Sequence, residues 1–183
     1  MKKKFKIDSK WILVALITAL LVCVVLLLTY SPDNKSALAM EEISEITSRI
    51  HNNFKQKNDY WGLNTKYVID NSLASEKTIK NDKLISALGN EILVGSDETG
   101  GLAMPGAQSF NIIYKNISRK DCVVLATYNL DYAEKLGLLS VIIKNSHEEK
   151  EFSWGGDNEL PISLLQAKNS CISSENIIIW TFK

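Results

Sequence analysis

The sequence is poor in the residues from which metal and redox sites are usually built. Its 183 residues include only two histidines and three cysteines, and none of their spacings has the short paired form of a zinc site. His51 and His147 belong to different segments, so each is expected to be an isolated surface residue. We therefore expect neither a metal site nor a bound cofactor.

The sequence also contains none of the short motifs that mark common enzyme classes. It lacks a G-x-S-x-G, an H-E-x-x-H and a P-loop pattern. A thiol beside Lys120 at a predicted helix start could be reactive, but a disulfide explains Cys122 more simply. Carboxylates in glycine-containing loops could bind Ca²⁺, although they lack regular ligand spacing: Asp97, Glu98, Asp157 and Glu159. The chain is therefore not expected to be an enzyme.

An overall excess of one charge is missing too, because 21 basic and 21 acidic residues cancel. The cancellation hides an asymmetry. Residues 1–10 contain five lysines and one aspartate, a net charge of +4, so the rest of the chain is mildly acidic. Lysines scattered over an acidic domain leave no electrostatic footprint for nucleic acid, and we expect no nucleic-acid partner.

One long stretch lacks charge, glycine and proline altogether. Residues 11–30 read WILVALITALLVCVVLLLTY, from Trp11 to Tyr30. A helix of about twenty residues rises roughly 30 Å, the thickness of the hydrocarbon core of a bilayer. The two terminal aromatics lie where interfacial aromatics are common. This stretch predicts a single transmembrane helix.

The lysines before this stretch predict its orientation. Lysine-rich flanks stay in the cytoplasm, so residues 1–10 are expected to form a basic cytoplasmic leader and the remainder an exported domain. A cleaved signal peptide is the alternative, with residues 36–39 as its candidate site. The apolar region of such a peptide has only about 7–15 residues, however, and residues 11–30 exceed that length.

Residues 31–58 predict an amphipathic helix that follows the membrane span. From Ser36 to about Lys57, acidic residues precede basic ones, the order that the helix dipole favours. Apolar residues recur three to five positions apart and are expected to share one face: Leu38, Ile43, Ile46, Ile50 and Phe54. This stripe needs a partner, and the following domain is the nearest candidate.

Residues 59–183 predict one globular domain in which short β-rich runs alternate with short helices. Strands are predicted at residues 91–94, 109–115, 138–144 and 176–182, the last of them central because it is β-branched and aromatic. Helices are predicted over residues 118–126, capped by Ser118, and directly after Pro161. Residues 66–88 predict a short helix or loop. The expected fold class is α+β, a long N-terminal helix packed on a small antiparallel sheet.

The cysteines divide by compartment. Cys23 lies within the apolar run and is expected to be a small apolar side chain. Cys122 and Cys171 lie in the exported domain, and an even pair in an oxidising compartment predicts a disulfide. Two free buried thiols are the alternative. A bridge would close a loop of about 50 residues, which the chain-entropy model values at roughly 4 kcal/mol.

Several short segments then occur in a characteristic order. They are residues 60–65 (YWGLNT), 88–94 (LGNEILV), 110–117 (FNIIYKNI) with Asp121 and Cys122, 160–163 (LPIS) with Ala167 and Cys171, and 176–182 (NIIIWTF). Behind a basic leader, an apolar run and an amphipathic helix, this order resembles a type IV pilin. Within that family it resembles the type IVb major pilins of the PilS kind, over about residues 36–183.

The resemblance implies a structural subunit of a pilus or related secretion filament. Pilins wait in the inner membrane with a periplasmic head, and then pack their N-terminal helices into a filament whose surface is formed by the heads. The implied partners are the membrane, other pilin subunits in a homo-oligomeric filament, and the pilus assembly machinery. The implied disulfide, Cys122–Cys171, brackets the outward-facing region of the head.

The chain departs from the pilin pattern at two positions. Pilin leaders end in Gly at a dedicated peptidase site, but residues 9–11 (SKW) contain none. The mature helix normally carries a Glu near its start, yet residues 11–30 have no acidic residue, and a buried Glu there would need a partner. The alternative function is therefore an uncleaved, membrane-anchored pilin-like protein that binds a partner in adhesion, assembly or surface exclusion.

Overall fold

The computed structural model describes residues 34–97, 99–128 and 135–183. Its helices are α1 (Asn34–Phe54), α2 (Thr65–Asp70), α3 (Arg119–Ala126) and α4 (Leu164–Ser170). Its strands are β1 (Ile79–Lys80), β2 (Lys83–Ile85), β3 (Glu91–Gly95), β4 (Phe110–Ile117), β5 (Leu138–Lys144), β6 (Glu149–Ser153) and β7 (Asn176–Phe182). Lys35–Lys183 form one compact unit.

The membrane prediction concerns residues outside this description. None of the helices formed by the described residues is long and apolar enough to cross a bilayer. The leader, residues 1–10, and the stretch from Trp11 to Tyr30 precede residue 34, so their assignments stay predictions.

Helix α1 is amphipathic, as the periodicity predicts, but its buried face differs from the expected one. The buried apolar side chains are Ala39, Met40, Ile43, Ile46, Ile50 and Phe54. Leu38 is 47% exposed, and its predicted place in the stripe is wrong. At about 100° per residue, Leu38 lies roughly 140° around the helix from Ile43, whereas Ala39 lies about 40° from it. The helix also ends at Phe54, before Lys57.

The described strands form one antiparallel sheet in the order β1-β2-β3-β4-β7-β5-β6. Strand β7 pairs with β4 on one side and β5 on the other, so Trp180 lies between Ile112 and Val141. Its central place is confirmed, as is the α+β fold of a helix followed by an antiparallel sheet. Long apolar side chains of β4 and β7 supply the largest buried groups of the core.

Strand β4 has buried side chains on both faces. Phe110, Ile112 and Tyr114 are buried on the first face, and Ile113 is buried on the second. In the sheet register Ile113 stands between Leu93 and Ile179. These aliphatic neighbours lie directly beside it, and neighbouring side chains on adjacent strands shield one another from water.

The segment from residue 66 to 88 holds a helix and a hairpin. Asn64 caps α2, its side chain accepting a hydrogen bond from the main-chain nitrogen of Tyr67. Strands β1 and β2 are then joined by Asn81 and Asp82, whose φ angles are 50° and 58°. Two consecutive left-handed residues suit a tight hairpin, and Asn and Asp tolerate that conformation. The sequence predicted a short helix or loop in this segment, which includes the helix but not the hairpin.

The two short helices of the second half begin at serine caps. Ser118 caps α3 as predicted. Helix α4 begins at Leu164, after the cap Ser163, and not directly after Pro161. Ser163 and Gln166 form a reciprocal capping box that satisfies main-chain groups at the helix start, which fixes the boundary two residues later than proline alone suggested.

Candidate functional site

Helices α3 and α4 are joined by a disulfide between Cys122 and Cys171. Cys122 lies within α3, and Cys171 directly follows α4. Their Cα atoms are 5.8 Å apart, within the usual range for a disulfide, and both residues are fully buried. The bond therefore closes the segment that contains β5, β6 and α4 into a loop.

Asp121 connects this bridged region to α1. One carboxylate oxygen of Asp121 accepts a hydrogen bond from the hydroxyl of Ser36 at 3.3 Å. The other oxygen accepts from Ser118, the cap of α3. Ser36 is 1% exposed and lies in the first turn of α1. A buried hydroxyl needs such a partner, so the start of α1 is fixed beside Cys122.

Asn145 connects the same region to the β5–β6 hairpin. Its amide nitrogen donates to the main-chain oxygen of Ser170 at 3.0 Å, next to Cys171. Its side-chain oxygen accepts from the main-chain nitrogens of His147 and Glu148, which form the hairpin turn. The exposed position predicted for His147 is confirmed. One amide thus holds both the turn and the end of α4.

The start of α4 exposes two large apolar side chains. Leu164 and Leu165 are 55% and 69% exposed, and Ile172, which follows the disulfide, is 43% exposed. Lys168 and Asn169 are exposed on the same helix, while Ala167 and Ser170 occupy its buried side. The disulfide therefore fixes a short helix whose exposed side carries both apolar and polar side chains.

A half-buried carboxylate joins α1 to the sheet. Glu42 accepts a hydrogen bond from the main-chain nitrogen of Ala87 at 3.0 Å and lies against the hydroxyl of Tyr114, which donates to the main-chain oxygen of Ala39 at 3.2 Å. Burial raises the pKa of Glu42, opposed by the hydrogen bond from Ala87. Burial, and secondarily the charge of Glu42, raise the pKa of Tyr114 well above its ordinary value.

His51 is packed against aromatic rings, and its prediction as a surface residue is wrong. Its ring meets that of Phe110 edge to face, with centroids 5.6 Å apart. Burial lowers the pKa of His51, and a hydrogen bond that its ring donates to the main chain of Lys183 opposes this shift by raising it. His51 directly follows Ile50 in α1, so it borders the buried face of the helix.

The loop carboxylates do not form a metal site within the described part of the chain. Asp97 accepts hydrogen bonds from the hydroxyl and main chain of Thr99 and from the main chain of Gly101. These hydrogen bonds lower the pKa of Asp97, and the one from the Thr99 hydroxyl has the largest effect. Asp157 and Glu159 are exposed, and Glu98 lies outside the described residues. Over residues 34–97, 99–128 and 135–183, no three His, Cys, Asp or Glu side chains converge as metal ligands.

Comparison with protein families relates this arrangement to known proteins. The model of the bundlin family matches residues 29–176, a stretch that contains α1, both cysteines and most of the sheet. The chain belongs to the bundlin family. It is therefore a type IV pilin of the IVb type, which confirms the resemblance seen in its sequence. The bundlin family and its fold are structural rather than enzymatic.

Solved structures share the fold of this bundlin-family chain. TcpA, a type IV pilin from Vibrio cholerae El Tor biotype, superposes with a TM-score of 0.56 at 10% identity, over 82% of this chain and 100% of TcpA. The type IV b pilin from Salmonella typhi gives 0.51 at 14% identity, over 81% of this chain and 97% of that pilin. At these identities the likeness concerns the fold. No curated protein sequence matches the chain.

The sequence pointed to some of these features and missed others. The motif Ser118-x-x-Asp121 is a capping signal, but nothing in it reveals that Asp121 also binds Ser36. Glu42 is one of three glutamates in the first half of α1, and the sequence does not distinguish the one that faces the sheet. Both contacts join residues distant in sequence, so they depend on how the elements are arranged.

Proposed function

We propose that this bundlin-family chain is a structural subunit of a type IV pilus, inserted in the inner membrane by the stretch from Trp11 to Tyr30 before it enters the filament. The observation that carries the proposal is the family match over residues 29–176. It begins in the last residues of the apolar run and continues through a head whose fold is that of a pilin. The match supports a pilin head, and the apolar run before it supports the proposed membrane anchor.

The physical chemistry of the apolar run supports movement from membrane to filament. An uncharged helix can leave lipid for a bundle of like helices because both surroundings are apolar, so the transfer costs little hydrophobic free energy. The lysines of residues 1–10 hold the N-terminus in the cytoplasm before assembly. The head, Lys35–Lys183, then lies in the periplasm, where an oxidising environment maintains the disulfide.

The bridged region supports a surface role for the head. Cys122–Cys171 fixes α4, whose exposed face carries Leu164 and Leu165. Closing the loop by a covalent bond restricts local opening, and local opening is what exposes a surface segment to proteolysis. In the proposed filament this region forms the outer surface and takes part in adhesion.

A second candidate rests on one feature of the sequence. Residues 9–11 contain no Gly, and residues 11–30 contain no Glu. Without leader cleavage there is no new N-terminal amine, and without the Glu there is no carboxylate for such an amine to bind. The two absences agree with a protein that stays in the membrane and uses its pilin head to bind a partner in adhesion, assembly or surface exclusion.

Two measurements test the proposal. Filaments sheared from cells that express the chain are purified, and the subunit is identified by intact-mass spectrometry. We expect the chain to be a filament component and its deletion to abolish those filaments. Detection of the chain solely in the inner membrane, with residues 1–10 retained and filaments unchanged after deletion, would contradict the pilus function and favour the second candidate.

A further inference from the structure

Two loops meet beyond the end of α1 and expose large apolar side chains. Residues 59–63 and 103–107 are joined by main-chain hydrogen bonds: Gly62 donates to Ala103, and Ala103 donates to Leu63, both at 2.9 Å. Trp61 is 62% exposed, Leu102 52% and Met104 67%. Because the two backbones are adjacent, these three side chains form one surface feature, which we call the apolar knob.

Residues 102–108 around the knob carry no charged side chain. The loop before it is fixed by Asp59, which accepts hydrogen bonds from the main-chain nitrogens of Trp61 and Gly106. The ring of Tyr60 packs on Phe54, the last residue of α1, with centroids 5.4 Å apart. These contacts fix the position of the knob at the C-terminal end of the helix. A single exposed apolar residue needs no partner, but the knob contains three.

A cleft opens beside the first part of the same helix. It has a volume of about 840 Å³ and lies between α1 and residues 72–87. Its apolar lining comes from Leu38, Ala74, Ile79 and Ile85, of which Leu38 is 47% exposed. Arg49 donates to the main-chain oxygens of Ser72 and Ala74, at 2.9 and 3.4 Å, and so fixes the far wall.

The helix wall of the cleft is richer in acidic residues than its far wall. The helix wall of the cleft carries Glu41, Glu42 and Glu45, while its far wall carries Glu76, Lys77 and Lys80. Arg49 pairs with Glu45 at 2.6 Å, and Glu42 is bound by Ala87. Glu41 is exposed. Lys55 and Lys57, between the end of α1 and the loop of Trp61, are exposed, so in the proposed contact they supply a basic border for the acidic helix wall.

Knob and cleft are displaced along α1. From Leu38 to Phe54 the helix rises about 24 Å, so one molecule cannot place its own knob in its own cleft. A protruding apolar feature that fits a cleft elsewhere on an identical chain makes a head-to-tail contact, which propagates as an open filament when it does not close into a ring. A twofold dimer would instead need a self-complementary patch.

We propose that the apolar knob of one chain, Trp61, Leu102 and Met104, docks into the cleft between α1 and residues 72–87 of a second copy of the chain. Aromatic and methionine side chains are favoured at the centre of such contacts, and charges at the border set the register. This inference rests on the proposed function, because a head-to-tail contact serves a chain that builds a filament.

Photocrosslinking in intact filaments tests the contact directly. The full-length chain is expressed in cells with benzoylphenylalanine in place of Met104, irradiated, and digested for mass spectrometry. The matched control carries the crosslinker in place of Leu165, which is similarly exposed at 69% against 67%. We expect position 104 to crosslink to residues 72–87 or to the first half of α1 in another copy, and position 165 not to do so.

Charge and apolar substitutions give a second readout. Met104→Lys should reduce filament yield about tenfold or more, as expected for loss of a central anchor, whereas Leu165→Lys should leave this contact unchanged. Glu41→Lys should lower the yield, and Lys55→Glu added to it should restore part of the loss. The amount of chain in the cell and its disulfide, seen on non-reducing gels, show that the variants are folded.

The outcomes separate the contact from the function it rests on. Filaments that contain the wild-type chain but whose position 104 crosslinks elsewhere on the copy, to another protein or to nothing would overturn the contact and leave the pilus function intact. Absence of the wild-type chain from filaments would contradict the pilus function, and the head-to-tail contact with it. If Met104→Lys fails to fold, the crosslinking result decides.

Discussion

Ser36 of α1 donates a hydrogen bond to Asp121 of α3 across 85 positions of sequence, at a distance of 3.3 Å. The next residue, Cys122, carries the disulfide to Cys171. The start of the long helix is therefore attached to the one covalently closed region that the described residues contain.

The contact between Ser36 and Asp121 should be measurable as a coupling energy. Ser36→Ala is expected to lower the free energy of unfolding by about 1 kcal/mol, the usual value of one hydrogen bond. In the background of Asp121→Ala the same change should cost almost nothing, since its partner is gone. Urea unfolding of the full-length protein in detergent, followed by tryptophan fluorescence, to which buried Trp180 contributes, measures the cycle.

Ser163→Ala serves as the control for that cycle. It removes the cap of α4, whose hydroxyl pairs with Gln166 and not with Asp121, and should cost about 1 kcal/mol with or without the hydroxyl of Ser36. Equal costs of Ser36→Ala in both backgrounds would mean that its contact with Asp121 contributes nothing to stability.

Removal of the disulfide should destabilise the head strongly. The bond joins residues 49 positions apart, and the chain-entropy model assigns such a loop about 4 kcal/mol. Replacement of Cys122 and Cys171 by Ala should lower the free energy of unfolding by roughly that amount and increase protease sensitivity.

Cys23→Ala is the matched control for the disulfide, because it removes a cysteine outside the bridged pair. Its free energy of unfolding and its protease sensitivity should both equal those of wild type. If thiol labelling of the unfolded, unreduced wild-type protein modifies Cys122 and Cys171, the disulfide itself is refuted.

Glu42→Gln should be more stable than wild type near neutral pH, and this difference in the free energy of unfolding should disappear in acid. Burial raises the folded-state pKa of Glu42 above its usual 4.5. A group of this kind supports folding fully below its unfolded pKa, and the support is lost as pH rises through the folded value. Gln keeps an acceptor for Ala87 without a charge, so its advantage over wild type should appear above pH 4.5 and vanish below it.

The measurement for Glu42 is the difference in unfolding free energy between variant and wild type from pH 3.5 to 7.5, which cancels the other titrating groups. Glu41→Gln is the control, since Glu41 is exposed on the neighbouring position. A difference that does not change with pH would show that Glu42 has no raised pKa in the folded protein.

His51 should give a pH dependence of opposite sign. Burial lowers its folded-state pKa below 6.5, so the neutral ring supports folding above pH 6.5 and that support is lost as pH falls through the folded value. Wild type should therefore lose stability in mild acid relative to His51→Gln. The measurement is the change of the unfolding free energy in urea with pH, from pH 5.0 to 7.5. His147→Gln, at an exposed position, should show the same change with pH as wild type. If His51→Gln also shows the wild-type change, the assignment to His51 is contradicted.

The structure agrees with the sequence where a local pattern determines the outcome. The buried stripe of α1 follows from the helical period, and the central place of β7 follows from its unbroken run of β-branched and aromatic residues. Ser118 caps α3 because its hydroxyl satisfies a main-chain group three residues on. In each case the deciding atoms lie within a few residues of one another.

The sequence could not predict contacts that depend on distant neighbours. His51 lies beside the stripe, and the ring of Phe110 from β4 completes its environment. Trp61 and Met104 are 43 positions apart in sequence, and their proximity requires the paired loops.

By itself, the sequence determined the apolar run, the amphipathic helix, the principal strands and the pilin class, because each follows from short-range periodicity, composition or the order of segments. Only the tertiary structure decided that Asp121 binds Ser36, that Glu42 faces Tyr114, and that the apolar knob and the cleft lie at different levels of α1. Those relationships depend on the crossing of elements in space, since packing and burial are properties of the assembled core rather than of any one segment.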